Sequence, residues 1–253
     1  MTGARLWQPV RDELARWRDL GLPAELWLRD DDAVEPTPAL DRLIALTAEF
    51  AVPVALAIVP ARSGPALAGR LAGERHVHPL IHGWSHANHA PPSEKKQELG
   101  PHRSRAVILE DLAAALARLS TLYGGRLVPM LVPPWNRIAP ALVDELPSLG
   151  FRGLSAFGDG LRSRPGLVVA NAHIDIVDSH AGNACRDHAW LVAALARELA
   201  GARSAGGRPV GILSHHLVSD DAAFGFLRDL FTAAALARVS WRAPRELLEA
   251  IAF

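Results

Sequence analysis

Five short polar clusters carry the side chains of this sequence that are best suited to chemistry. They are Asp30-Asp31-Asp32, His82-Gly83-Trp84-Ser85-His86, Pro134-Trp135-Asn136, Asn171-Ala172-His173-Ile174-Asp175 and Ser214-His215-His216. Three adjacent carboxylates repel one another. A divalent cation relieves that repulsion; a turn or helix cap ahead of Pro36 would explain the same residues on structural grounds alone. His82 and His86 have the His-x3-His spacing that places two imidazoles on one helical face, a metal-ligand pattern. Neutral imidazole suits zinc and its first-row neighbours. The chain has 11 histidines, and five of them (76, 78, 82, 86 and 89) crowd around this motif. His76, His78 and His89 are the weaker candidates, since alternation along a strand would put His76 and His78 on one face. His215 follows an apolar run and is placed to act as a general acid or base. His173 and Asp175 share a face of an extended segment, either as a His–carboxylate pair that orients a ring or as a polar loop. Trp84 and Trp135 lie inside polar clusters, where an indole can wall a sugar ring. Glu94-Lys95-Lys96 reads as a solvated face within a segment, 89–101, long enough for a lid, and Cys185 as packing.

Strands and helices must bring these clusters together. Apolar and β-rich runs predict strands at 24–28, 53–59, 76–81, 127–132, 151–155, 166–170, 209–213 and 238–241. Helical periodicity predicts helices at 6–20, 37–50, 63–72, 104–123, 139–149, 188–200, 220–237 and 244–251. Strand-then-helix alternation points to an α/β fold with a mainly parallel sheet and right-handed crossovers. About seven such units fit a closed (β/α) barrel better than an open doubly wound sheet. No Gly-rich dinucleotide loop follows the first strand. Each polar cluster follows a predicted strand, and in a barrel of this type the C-terminal strand ends converge on one mouth.

Composition narrows the classes further. Lys+Arg is 27 and Asp+Glu is 27, so the net charge is zero over 253 residues and a basic nucleic-acid surface is not indicated. Hydrophobic residues make up 49% and charged residues 21%, a globular balance. One cysteine excludes an internal disulfide framework and fits a reducing compartment. No run reaches the length of a membrane span, and the first residues lack the apolar core of a signal peptide. The expectation is a cytoplasmic protein of one domain, 1–253, that engages neither membrane nor nucleic acid.

In this order the motifs resemble those of the polysaccharide deacetylase family, the family 4 carbohydrate esterases in the broad sense. Leu28-Arg29-Asp30-Asp31-Asp32 is similar to the family's Asp-Asp motif, and His82-Gly83-Trp84-Ser85-His86 to its His-x3-His. Val132-Pro133-Pro134-Trp135 approximates its Arg-x-Pro-aromatic motif, and Leu213-Ser214-His215 its Leu-x-His. The resemblance implies a distorted, incomplete polysaccharide-deacetylase-like (β/α) barrel of about seven strands and one divalent metal, zinc first, with manganese, cobalt and nickel as the other metals that fit. It implies metal ligation by Asp32, His82 and His86, Asp31 as general base and His215 as general acid. The other register, with Asp30 as base and Asp31 as ligand, stays open. Asp30, Trp84, Pro134, Trp135, Asn136, His173 and Asp175 are then the substrate-binding candidates. The sequence departs from the pattern at Val132, where the family has Arg, and lacks the Gly that usually follows the Asp pair.

The function so implied is hydrolysis of an acetamido sugar or related amide. Metal-activated water would lose its proton to Asp31, a backbone N–H near Trp135 would hold the oxyanion, and His215 would protonate the leaving amine. Two alternatives remain open on the sequence. One is a metal-dependent hydrolase of non-acetyl C–N bonds in a small metabolite. The other is a sugar-binding protein without turnover on the same barrel.

Overall fold

The computed structural model describes residues 3–178 and 182–249. Its strands are β1 (Glu25–Ala33), β2 (Val54–Ile58), β3 (Val77–His82), β4 (Met130–Val132), β5 (Gly153–Leu154), β6 (Val168–Val169), β7 (Ala172–Asp175), β8 (Val177–Asp178), β9 (Ala184–Cys185), β10 (Val210–Ser214) and β11 (Ser240–Trp241). Its helices are α1 (Gly3–Leu6), α2 (Gln8–Asp19), α3 (Pro38–Glu49), α4 (Pro65–Leu71), α5 (Arg105–Tyr123), α6 (Pro140–Val143), α7 (His188–Ser204), α8 (Asp221–Ala237) and α9 (Pro244–Glu249). The fold is α/β with a mainly parallel sheet, as the alternation predicts, and its (β/α) barrel is incomplete rather than closed. Its path has eight strands.

Two compact units make up the chain. The first comprises Met1–Asp30, Thr37–Val54 and Ala172–Ala243. Here β1 pairs in parallel with β10 on one side and with β11 on the other, and β10 pairs in parallel with β7. Hydrophobic burial drives α2 against α7: Val10, Leu14 and Trp17 of α2, and Leu191, Leu195 and Leu199 of α7, are all buried. Each such side chain contributes about 2 kcal/mol. The Trp17 indole N–H cannot be left dry, and it donates to the Leu199 carbonyl at 3.2 Å. Glu13 on the same face is buried yet ionisable; Arg203 (2.6 Å) and Arg16 (2.9 Å) hydrogen-bond its two oxygens. Burial alone would raise its pKa, but those two guanidiniums hold it below the usual carboxylate range.

The second unit comprises Asp31–Pro36, Ala55–Asn171 and the segment from Pro244. Its strands run in the order β2-β3-β4-β5-β6, with β3–β4, β4–β5 and β5–β6 all parallel. All five residues of β2, Val-Ala-Leu-Ala-Ile, are buried, as a strand covered on both faces requires. The Ser104 side chain caps α5 by accepting from the Val107 N–H.

Several elements differ from expectation, each for a local reason. The predicted helix 139–149 splits into α6 and a 3-10 turn, Leu146–Leu149. Pro147 lacks an N–H and disfavours helical backbone just before it. The segment 171–175 contains a strand, β7, and a short antiparallel hairpin, β8–β9, follows it. Residues 250–251 of the predicted closing helix lie outside the described residues. Among the described residues no helix is long and apolar enough to cross a membrane.

Candidate metal centre

The three aspartates do not follow the first strand; they are its last turns of pleat, within β1. Asp30 and Asp31 are buried, while Asp32 is part-exposed and takes a left-handed backbone, φ 73°. His82 ends β3, and the chain then reverses through Gly83 (φ 57°) to His86 (φ 59°) without forming a helix. The helical-face argument for His-x3-His therefore does not hold here. A strand end and a tight loop bring the two rings together instead, with centroids 5.1 Å apart.

Asp32 Oδ1 lies 3.1 Å from His82 Nε2 and 3.2 Å from His86 Nε2. One ligand atom from each of these residues falls in a group compact enough to hold a metal ion. The hydrogen bonding of His82 sharpens the point. Its Nδ1–H donates to the Val132 carbonyl at 2.9 Å. In the neutral ring Nε2 is then an acceptor, and it faces another acceptor, Asp32 Oδ1, with room for a proton or a cation between them. Without a metal the protein favours the proton. Burial pulls the His82 pKa down, but the Asp32 hydrogen bond and the charges of Asp31 and Asp32 outweigh it and raise the value. Burial lowers the pKa of His86, and the neighbouring His82 lowers it further. Carboxylate and imidazole are the donors zinc and related cations take, so the residues present fit a divalent metal.

The loop between the histidines is fixed by a residue with no sequence signal. Glu98 is buried and accepts three hydrogen bonds from the loop. Its Oε2 takes the Trp84 N–H at 3.1 Å, and its Oε1 takes the Ser85 N–H at 2.8 Å and the Ser85 hydroxyl at 2.9 Å. On the other side Gly83 N–H donates to Val132 O at 3.1 Å. Val132, which stands where the family pattern has Arg, thus holds both His82 and Gly83 through its carbonyl.

Pro134, Trp135 and Asn136 form a 3-10 turn after β4, with Trp135 at φ 54° and Asn136 at φ 59°. The Trp135 ring packs on His86 at 4.3 Å between centroids. Four of the seven non-glycine residues with positive φ among the described residues are Asp32, His86, Trp135 and Asn136. Backbone strain of this kind collects where side chains must be aimed. Trp84 is half-buried beside the loop.

The remaining candidates belong to the first unit. Asp175 Oδ1 sits 3.8 Å from His215 Nδ1. His173, like Asp175, lies on the part-exposed face of β7, with Ala172 and Ile174 buried on the other. Its Nδ1 accepts from Gly211 N–H at 2.9 Å, and its Nε2 meets Arg208 at 2.8 Å. Asp30 is saturated by Ser214 and His216. Of the weaker histidines, His89 is exposed, and His78 is half-buried in β3, its pKa lowered first by burial and then by Arg245 and Arg126.

No family model matches the chain, and no curated protein matches it. Solved structures do. A Mycobacterium smegmatis protein assigned as a polysaccharide deacetylase aligns over 90% of both chains at 16% identity with a TM-score of 0.68. Peptidoglycan deacetylase PdaC from Bacillus subtilis aligns over 90% of both chains at 17% identity and a TM-score of 0.55. A family 4 acetyl xylan esterase from Clostridium thermocellum, solved with a cobalt ion, covers 89% of this chain and 91% of its own at 16% identity and a TM-score of 0.50. The resemblance read from the motifs is thereby matched at the level of architecture: the chain has the fold of the polysaccharide deacetylases and family 4 carbohydrate esterases.

Proposed function

We propose that the chain, acting as one domain over 1–253, is a metal-dependent hydrolase that removes the N-acetyl group of an acetamido sugar or a related amide. The observation that carries this reading is the convergence of Asp32, His82 and His86 on one point in a chain with the deacetylase fold. Those three residues are the proposed ligands of one divalent cation, zinc before manganese, cobalt or nickel. When bound, such a cation supplies Lewis acidity to a carbonyl and to water.

The chain supplies the proton transfers. Asp31 is the proposed general base, taking the proton of the attacking water. A backbone N–H near Trp135 is the proposed oxyanion donor. His215 is the proposed general acid, delivering a proton to the leaving nitrogen, with Asp175 on its Nδ1 side to orient the ring. Trp84, Pro134, Trp135 and Asn136 are the proposed sugar-contacting surface, with His173 and Asp175 supporting it; Asp30 is fully buried against Ser214 and His216 and contacts no sugar. A soluble oligosaccharide or small amide in a reducing cytoplasm is the setting that the composition favours.

The test is acetate release from an acetamido-sugar oligomer by protein loaded with zinc and by chelator-treated protein. Asp31→Asn and His215→Ala each lower turnover by about 100-fold or more. Turnover that survives chelation and both substitutions overturns the reading. Release of amine from other linear amides, with none from the sugar, moves the assignment to the non-acetyl C–N class. Saturable sugar binding without any release moves it to a binding protein.

A further inference from the structure

One carboxylate in the first unit grips the chain on both sides of His215 without touching His215 itself. Parallel register sets Asp30 of β1 opposite Ser214 of β10. The Asp30 side chain reaches along the strand: its Oδ2 accepts from the Ser214 hydroxyl at 2.6 Å and from the His216 N–H at 2.9 Å. Its Oδ1 receives the His216 ring through Nδ1. Asp30 is fully buried, and Ser214 and His216 are each 1% exposed, so these contacts have no competition from water. The His215 carbonyl is held in turn by the Val218 and Ser219 N–H groups at 3.1 Å and the Ser219 hydroxyl at 2.9 Å. Of this tripeptide only His215 is part-exposed, and its Nδ1 atom lies 3.8 Å from Asp175 Oδ1.

A buried carboxylate needs partners, but three bonds to the two residues that flank one side chain do more than satisfy it. They fix the backbone from which the His215 ring projects, and a ring so mounted has only its two side-chain torsions left to set. We infer that Asp30 is a positioning residue for His215, holding the imidazole where it can hand a proton to a leaving group. The inference rests on the reading of His215 as general acid, and it gives Asp30, the first aspartate of the Asp30-Asp31-Asp32 run, a role distinct from ligand and base.

Leaving-group dependence provides the test. Expulsion of an amine requires protonation of its nitrogen, and the C–N bond then breaks with the electron pair going to that nitrogen. An aryl acetate expels a stable phenolate and needs no acid. Zinc-loaded Asp30→Asn, which keeps the side-chain shape, is expected to lower kcat on an acetamido-sugar oligomer by about tenfold or more. KM, zinc content and turnover of 4-nitrophenyl acetate are expected to stay within about twofold of the wild type. General loosening of the fold, or disturbance of the neighbouring Asp31, slows both substrates alike. Ser214→Ala, which removes one contact and adds no buried charge, carries the same comparison if Asp30→Asn does not fold.

Equal loss on both substrates, or no loss on either, in a background where His215→Ala loses only the amide, overturns the positioning role and leaves the general acid in place. A His215→Ala variant that keeps full amide turnover, or a wild-type protein that cleaves neither substrate, overturns the underlying reading and the inference with it.

Discussion

The Asp32 carboxylate and the His82 imidazole meet with Oδ1 and Nε2 3.1 Å apart although 50 residues separate them along the chain. Both partners present lone pairs when His82 is neutral, because Nδ1–H is committed to Val132. A divalent cation held by Asp32, His82 and His86 would relieve that repulsion. Wild-type protein purified with zinc is therefore expected to hold about one ion per chain. Asp32→Asn and His82→Ala are each expected to lose it, as read by elemental analysis. Added zinc should raise the melting temperature of the wild type and leave both variants unmoved.

Glu98 governs the loop that aims His86. Replacing it by Ala leaves the Trp84 and Ser85 N–H groups and the Ser85 hydroxyl without their acceptor. Zinc affinity in a chelator competition should fall about 10- to 100-fold, the usual effect of losing a group that orients a ligand. Unchanged affinity would show that the loop holds its shape without this carboxylate.

Gly83 tolerates no side chain. A Cβ there would lie 2.1 Å from Glu98 Oε2 and 2.6 Å from the Pro134 ring, at φ 57°. The ring is rigid and Glu98 is buried, so neither neighbour can yield cheaply. Gly83→Ala is expected to cost about 1–3 kcal/mol in urea unfolding and to weaken zinc binding together with stability.

Glu13 links stability to pH. Its folded pKa is held below the ordinary value of 4.5 by Arg203 and Arg16, against the pull of burial. The stabilisation is fully present above about pH 4.5 and is lost as pH falls through the lowered folded value. Glu13→Gln should therefore be less stable than the wild type near neutral pH, by about 1–3 kcal/mol. The gap should narrow as urea midpoints are followed downward from pH 4.5. A gap that stays constant into acid would assign the effect to packing.

Much of the fold was legible because its signals are local. The all-apolar run of β2, the alternation of strand and helix, and the proline at the start of α3 can each be read within a few residues. Other features were not legible because they depend on distant partners. The runs 151–155 and 166–170 predict strands, but parallel pairing with β4 and with each other trims them to the two-residue β5 and β6. Aspartate disfavours strands, yet β1 runs through Asp30, Asp31 and Asp32, and pairing with β10 carries it as far as Asp30–Ser214.

The candidate site divides in the same way. Residue type and order along the chain alone supplied Asp30-Asp31-Asp32, His82 and His86, and His215, because donor chemistry belongs to the side chain wherever it stands. Tertiary structure alone decided which carboxylate meets the histidines. Three consecutive aspartates are equivalent in sequence until a backbone turn at φ 73° sends one of them, Asp32, toward His82 and His86, and strand pairing commits another, Asp30, to Ser214 and His216. It also separated Glu98 from the exposed Glu94 four residues earlier, a distinction set by which side chain the loop encloses and therefore invisible to composition, charge or spacing.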